Sequence, residues 1–510
     1  MEHQFASTIL VTVLVTSISY VILWIWKKSK VRNSNLNLPP GPSQLPLIGN
    51  MHNLVGSLPH HRFRDMAKKY GPVMHLRLGE VTHVLISSAE TAKEVMKTHD
   101  LIFAQRPALL AVKILSYNCI DIAFAPYGDY WRMLRKLCVL ELLSAKRVRS
   151  FRSIREEEVW RVVRSISSSA WSPVNFSRMI SSLTYCITSR AAFGKIWKGE
   201  DVFIPAVKEA NKAAGGYSLA DVYPSIKLLS VISGMRLTLE KIHARLDKIL
   251  QDIINEHRSK KEMGAKTGAD EEEHDLVDVL LGIQDQRDTE FSLTDNNIKA
   301  IILDLFVAGT DTSSTTVVWA MSEMVKHPRV MKKAQEEVRQ VFGEKGTVDE
   351  AGLHELNYLK LAIKETFRLH PPVPLLLPRE SREDCKINGY DIPIKSKVIV
   401  NVSAIGRDPT YWNEPERFYP ERFLDNSIDY KGTDFELLPF GAGRKMCPGI
   451  LFGTVNVELP LAQLLFHFDW NLPKGLKPED LDMSEVFGAV VTRKNDLCLI
   501  PIPHHPLPGN

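Results

Sequence analysis

The chain has 510 residues, 44% hydrophobic and 24% charged, an ordinary globular composition with length enough to bury a large core and enclose a cofactor. Its 64 Lys and Arg against 60 Asp and Glu leave a net charge of only +4, with no basic arm carrying interleaved aromatics, which argues against a nucleic-acid binder. Six widely spaced cysteines (Cys119, Cys138, Cys186, Cys385, Cys447 and Cys498) form no C-x-x-C pair, which argues against a disulfide framework or a zinc site and for a reducing compartment. Length alone predicts two to four domains, unless one enzyme core takes the whole chain.

Residues 1–4 precede an uncharged run of 22 residues, 5–26, long enough to cross the ~30 Å hydrocarbon core as a helix. Six of the 22 are Ser or Thr, so the run is moderately apolar. Lys27, Lys28, Lys30 and Arg32 follow, and the positive-inside rule keeps that flank and all that follows on the cytosolic side, with residues 1–4 luminal. A cleaved signal peptide is opposed by Glu2 ahead of the run, by the lack of a basic n-region and by Trp24-Ile25-Trp26 at its end. Residues 27–45 read as a basic flank and hinge, stiffened by Leu38-Pro39-Pro40-Gly41-Pro42. Residues 46–510 remain for the globular, catalytic part.

Residues 73–87 alternate and are rich in β-branched side chains around Gly79-Glu80, which predicts a hairpin. Most of the chain from there to about residue 370 reads helical. Residues 256–275 are dense in charge and contain Gly264 and Gly268, the pattern of a flexible surface loop. Residues 385–402 return to strand character with Gly389 at a turn. The fold class is mainly α with small β-sheets.

The longest periodic element begins near Ser292 or Thr294, a plausible N-cap, and stops before His327-Pro328. It is apolar over most of its surface and so should be buried. Its middle, however, reads Ala308-Gly309-Thr310-Asp311-Thr312-Ser313. Glycine weakens a helix interior by roughly 1 kcal/mol, and Thr and Ser compete for its carbonyls. A buried helix weakened at its centre points to a functional site.

Phe440-Gly441-Ala442-Gly443-Arg444-Lys445-Met446-Cys447-Pro448-Gly449 is a glycine-rich loop running into an apolar helix over 450–468. Such a loop approaches a flat ligand closely, and a cysteine feeding a helix N-terminus has its thiolate favoured. This loop resembles the haem-binding segment of the cytochrome P-450 superfamily, F-x-x-G-x-R-x-C-x-G, in which Phe440, Gly443, Cys447 and Gly449 match. Lys445 stands where the family usually has Arg or His to meet a haem propionate, and it keeps the charge but loses the planar fork. Three further segments match in order. Glu365-Thr366-Phe367-Arg368 resembles E-x-x-R, with both charges on one helix face. Pro420-Glu421-Arg422-Phe423 resembles the segment whose Arg completes a structural triad with that pair. An overlapping copy, Pro415-Glu416-Arg417-Phe418, precedes it, and family spacing from Trp412 favours Arg422. The central run from Ala308 resembles the oxygen-activation motif. Trp131 and Arg135, at i and i+4, resemble the W-x-x-x-R pair that meets a propionate, and Arg379 and Gly441 belong to the same implied cofactor contacts.

The resemblance implies a haem-thiolate monooxygenase, most similar to plant microsomal enzymes that oxidise terpenoids and phenolics. Haem b would be held by Cys447 as the axial iron ligand, with NADPH and flavins acting only through NADPH-cytochrome P-450 reductase and with cytochrome b5 as a second electron donor. Thr312 and Asp311 would relay protons to bound O2. The implied location is the endoplasmic reticulum membrane, single-pass, with the catalytic part cytosolic. By family position the substrate pocket comprises Ile114, Ile120, Asp304, Val307, Ala308, Val373, Leu377 and Phe487. Nearly all are apolar, which suits a lipophilic substrate, a terpenoid ahead of phenolic or alkaloid skeletons. Asp304 is the exception, placed to meet a substrate hydroxyl or to be satisfied within the helix. A haem-thiolate isomerase or dehydratase is the rival enzyme, opposed by the Asp311-Thr312 pair, and a non-catalytic haem-binding scaffold would need no weakened central helix.

Overall fold

The computed structural model describes residues 36–196, 200–216, 218–267, 275–286, 293–473 and 475–505, with Thr12 and Thr16. The anchor expected at 5–26 and the basic flank at 27–35 otherwise lie outside the described residues.

Eleven helices build the body around the site: α1 (Pro59–Tyr70), α2 (Leu110–Leu115), α3 (Asp129–Leu137), α4 (Arg152–Ser168), α5 (Phe176–Phe193), α6 (Glu200–Ala214), α7 (Met235–Thr267), α8 (Asp295–Lys326), α9 (Pro328–Phe342), α10 (Asn357–Leu369) and α11 (Ile450–His467). Helix α8 is the predicted central element. Thr294 and Asn297 cap each other reciprocally at its start, satisfying amides that the helix leaves unpaired. Pro328 ends it, because the residue before a proline is driven out of helical geometry. Its 32 residues reach about 48 Å at ~1.5 Å per residue, and both flanks are buried, chiefly against α5 and α11.

The charge-dense stretch is not the loop its composition suggested. Residues 256–267 complete α7, at 33 residues the longer of the two long helices. Lys, Glu and Arg are strong helix formers, and Glu256 and Lys260 pair at 3.5 Å along the helix. Arg258 also reaches Asp295 at 2.6 Å, tying α7 to the first turn of α8, which outweighs the cost of Gly264. Residues 268–274 lie outside the described set.

The strands are short: β1 (Val73–Leu78), β2 (Val81–Ile86), β3 (Val174–Asn175), β4 (Arg379–Glu380), β5 (Cys385–Ile387), β6 (Tyr390–Ile392), β7 (Lys397–Val400), β8 (Phe468–Asn471), β9 (Glu485–Val486), β10 (Thr492–Arg493) and β11 (Cys498–Pro503). The predicted hairpin is β1–β2, extended by β7 in parallel and then by β4. β5 and β6 turn at Gly389, as expected, but residue 402 begins a helical turn. The proline segment docks on the sheet: His75 N donates to Pro40 O at 2.9 Å, so the chain leaves the globule along the β1 edge.

An alternating His and Glu network clasps the end of α8 to the sheet side. Glu323 accepts from His370 Nε2 at 2.6 Å and lies 3.2 Å from His327 Nδ1, while Glu485 receives His60 Nε2 at 2.9 Å. Trp319 stacks flat on His370, with centroids 4.1 Å apart. Burial opposes ionisation of Glu323, but hydrogen bonds from His327 and His370 outweigh it and hold the carboxyl at about 2. Burial likewise opposes charge on His370, yet its two glutamates raise it above the ordinary imidazole value, and Glu323 raises His327. The glutamate's stabilisation is present above about pH 4.5 and fades as pH falls through its depressed value, while that of the histidines is complete below about pH 6.5 and fades as pH rises through theirs. Glu323→Gln is therefore expected to cost about 1–3 kcal/mol, most strongly between those limits, with the deficit shrinking at alkaline pH. Melting midpoints of wild type and variant across pH check this; a constant offset would mean that the network is uncharged.

Candidate active site

The cysteine loop is shaped by its backbone. Gly443 has φ +71° and a Cβ there would overlap the carbonyl of Met96, so only glycine lets the loop close against that segment. Cys447 N donates to Phe440 O at 3.0 Å, which closes the loop on itself. Phe440 is fixed edge-on by Phe367 of α10, with centroids 5.2 Å apart. Gly449 then caps α11. Burial pushes the Cys447 thiol up, while the Gly449 N–H and the Arg135 charge act in the opposite direction, and these two are the groups that favour a thiolate there.

On one side of this loop four cations converge. Arg135 donates to Met446 O at 2.6 Å, one residue from the cysteine. Lys445 donates to Ala125 O at 2.8 Å and lies 4.1 Å from the Trp131 ring centroid. Trp131 itself donates to Ile122 O at 3.0 Å. Arg379 donates to Ala442 O at 3.0 Å, and Arg106 to Leu377 O at 2.6 Å. Burial drives the Lys445 ammonium down to about 6, and Arg106, Arg379 and Arg135 push it further down against Asp121. Burial also lowers Arg379 to about 10, with Asp100 opposing. Such crowding of like charge in a buried place is costly without an anion among the cations. A flat cofactor with carboxylate arms and an iron for the sulfur fits this donor set.

Arg106 was not among the residues singled out from the sequence, although a lone cation inside the apolar run 101–112 was a usable signal. Asp100 and Asp121, which face the cations, were missed as well, since nothing local marks them.

Behind the loop stands the buried network of α10. Arg368 forks onto Glu365 with two bonds of 2.8 Å, and Arg422 reaches the same carboxylate at 2.9 Å. Arg417, from the overlapping motif copy, pairs instead with Glu414.

The weakened centre of α8 forms another wall. Ala308 is exposed and Thr312 half-buried between buried flanks, so this face of α8 is left uncovered by protein. Thr312 Oγ1 donates to Ala308 O at 2.6 Å, and Thr310 and Thr316 make the same bond to Phe306 and Thr312. Asp311 accepts from Asn211 of α6 at 2.7 Å, and burial raises its carboxyl while Asn211 and Lys208 lower it. Ile114, Ile120, Val307 and Val373 are half-buried and Leu377 is exposed. Two of the pocket candidates have protein partners. Phe487 lies beside His60, with stacked centroids 6.4 Å apart, next to β9, which is anchored there through Glu485. Val491 N binds Pro372 O at 2.8 Å, which ties the segment after Phe487 to the chain that follows α10. Asp304 offers no free carboxylate to a substrate hydroxyl, because its Oδ2 accepts the Ile122 and Ala123 amides at 3.0 and 3.1 Å.

The model of the family described as cytochrome P450 matches residues 39–499. The chain belongs to the cytochrome P450 family. It is a monooxygenase oxidoreductase of that family, which binds haem through a cysteine thiolate. It is 55% identical over 481 residues to premnaspirodiene oxygenase of Hyoscyamus muticus, covering 94% of this chain and 95% of that one. It is 54% identical to desmethyl-deoxy-podophyllotoxin synthase of Sinopodophyllum hexandrum, covering 96% of each. It is 52% identical to 5-epiaristolochene 1,3-dihydroxylase of Nicotiana tabacum, covering 94% of this chain and 95% of that one. A zebrafish cytochrome P450 solved with abiraterone superposes with TM-score 0.72 at 24% identity, over 88% of this chain and all of the other, which establishes the fold.

Lys445→Arg is expected to keep or raise the haem content of the purified protein, since the wider fork suits a carboxylate, whereas Arg106→Gln should lower it severalfold. Haem per polypeptide from the pyridine haemochrome spectrum measures both, and a severe loss in Lys445→Arg would assign Lys445 a role that charge does not explain.

Proposed function

We propose that the chain hydroxylates a lipophilic terpenoid, a sesquiterpene before a di- or triterpene, with O2 and with electrons from NADPH delivered by cytochrome P450 reductase. The observation that carries this is the cysteine loop with its buried cations, in a member of a monooxygenase family, opposite a helix centre of small residues. The substrate class is supported by two relatives whose names specify premnaspirodiene and 5-epiaristolochene. A phenolic substrate is the second reading, favoured by the podophyllotoxin-synthase relative.

Haem, when bound, supplies the activation of dioxygen that no side chain can perform. Cys447 Sγ would hold it, with the Gly449 N–H and Arg135 favouring the thiolate against burial. Arg135, Arg379, Arg106 and Lys445 would hold its carboxylate arms, with Trp131 behind Lys445. Thr312 holds a proton at Oγ1 beside the reacting centre and returns to Ala308 O when idle. Asp311, swung from Asn211, reloads it from solvent. The half-buried apolar residues of α2, α8 and the 372–377 segment exclude water and orient a hydrocarbon.

The surface supports a membrane placement. Leu47 and Ile48 are exposed beside exposed Leu228, Val231 and Ile232, and Tyr223 Oη donates to Leu47 O between them. A patch of this kind, near the point where the chain leaves for the segment 5–26, suits the cytosolic surface of the endoplasmic reticulum. Reductase, and cytochrome b5 as a second donor, would approach from the cytosol.

Microsomes coexpressing the chain and a plant reductase should convert at least one member of a sesquiterpene panel to a product heavier by one oxygen drawn from labelled O2, in an NADPH-dependent manner. Turnover of lignans alone would move the assignment to the second reading, and product without NADPH would move it to an isomerase. Cys447→Ser should lose both product and the long-wavelength carbonyl band of thiolate haem.

Thr312→Ala should keep that band yet raise NADPH consumed and peroxide released per product severalfold. Unchanged coupling would remove Thr312 from the proton path.

A further inference from the structure

The six residues 120–125, between α2 and α3, have their backbone bound from two sides. On the cofactor side, Trp131 donates to Ile122 O, Arg106 to Ala123 O at 3.3 Å and Lys445 to Ala125 O. On the α8 side, Asp304 accepts from the amides of Ile122 and Ala123. Asp121, buried, accepts from Phe124 N at 3.0 Å, so the carboxyls of Asp304 and Asp121 are held on three consecutive amides of one turn. Just before this segment, Tyr117, Asn118 and Cys119 all have left-handed φ (+51°, +67° and +61°), which costs roughly 1–2 kcal/mol per residue and persists only where surrounding contacts over-determine it.

Two carboxyl groups set on consecutive amides of one turn repel each other when both are ionised, and a single proton between them relieves that repulsion. We propose that Asp304 and Asp121 form an acid–carboxylate pair holding a single proton, and that this pair is the positioning device that fixes residues 120–125 between α8 and the cofactor-binding cations. Asp304 is the protonated member. Its Oδ2 is occupied by two amides, so its Oδ1–H points to Asp121, which faces the Lys445 and Arg106 charges and is better placed to stay anionic. Withdrawal from water raises both carboxyls, Asp121 to about 6 and Asp304 well beyond the usual range, with the Asp121 charge adding to the shift on Asp304. The other titratable groups facing the pair are Tyr130 of α3, Cys138 just after it and Cys119 of the strained turn. Loss of the shared proton at high pH would set two carboxylates against each other and loosen the loop from α8. Asp304 is thus a positioning residue for the reaction: it acts through the loop that carries Ile120 and that meets the cations. The pair stands independently of the terpenoid reading.

The test compares full-length, haem-loaded wild type with Asp304→Asn and Asp304→Ala, without substrate. An Asn amide accepts the two loop amides through its oxygen and donates to Asp121 through its nitrogen, so it copies the protonated acid and cannot lose the proton. Hydrogen–deuterium exchange of residues 120–125 should quicken about tenfold in Asp304→Ala and stay within about twofold of wild type in Asp304→Asn. After correction for intrinsic rates, exchange should accelerate at alkaline pH in wild type but not in Asp304→Asn. The infrared spectrum of wild type should show a protonated-carboxyl stretch that shifts in D2O and disappears in Asp304→Asn. Absence of that band in wild type overturns the proposal, and so does loop exchange in Asp304→Ala equal to wild type or an alkaline acceleration retained in Asp304→Asn. If Asp304→Ala fails to take up haem, the band and the pH comparison with Asp304→Asn decide.

Discussion

Glu365 and Arg368 sit at 0% and 1% exposure. A buried ion pair of this kind is not a large net stabiliser, since the desolvation of both charges offsets most of their attraction. Removing one partner is nevertheless expensive, about 3–5 kcal/mol, because the other is left charged and unpaired. The consequence is geometric. Arg368 spends its remaining donors on Gly406 O, Pro415 O and Arg417 O, and Glu365 takes Tyr419 N and Arg422. The irregular segment 406–422 has little regular structure of its own to fix its path. It is held to α10 at its centre by this pair of charges, with Arg407 donating to Leu369 O and Tyr358 to Glu421 on either side, and it leads towards the loop that ends at Cys447.

The cysteine loop solves a different electrostatic problem. Its sulfur needs stabilising partners and receives a backbone N–H and a nearby guanidinium. Arg106, Arg379 and Lys445 hold protein carbonyls rather than carboxylates at hydrogen-bond distance. Carbonyl dipoles orient these cations without neutralising them. The Lys445 ammonium shows the result, being held near 6 by burial and by its neighbours. A site that keeps cations partly unpaid in this way is preorganised for an anionic ligand: their orientation is set before the ligand arrives, and the desolvation has already been met by folding.

Much of this was legible in the sequence, and for identifiable reasons. The bounds of α8 were written in Thr294 and Pro328, and the β1–β2 hairpin in strict alternation about Gly79-Glu80. The cofactor loop announced itself because its residues are contiguous. The parts that were not legible depend on contacts distant in sequence. Residues 256–267 were read as loop from charge density, yet that charge is spent on pairs along α7 and with Asp295 of α8. Phe487 was placed by family position alone, and its neighbour His60, more than four hundred residues away, could not be read from the local sequence. Arg106 and Asp121 lie in no motif, and their meaning comes from the company they keep once the chain is folded.

Asp304 gathers these points. Read along α8, it is a charge one turn from the weakened centre and pointed toward where a substrate should lie. Folded, its carboxyl is consumed by two amides of a loop whose carbonyls are bound by Trp131, Arg106 and Lys445. The two walls of the site are therefore not independent. The backbone of residues 122–125 is a short bridge, donating to α8 and accepting from the cofactor side, so movement of either wall is felt by the other. A polar residue in an otherwise apolar pocket lining is here a tie between the helix that must stay weak at its centre and the cations that must stay rigid.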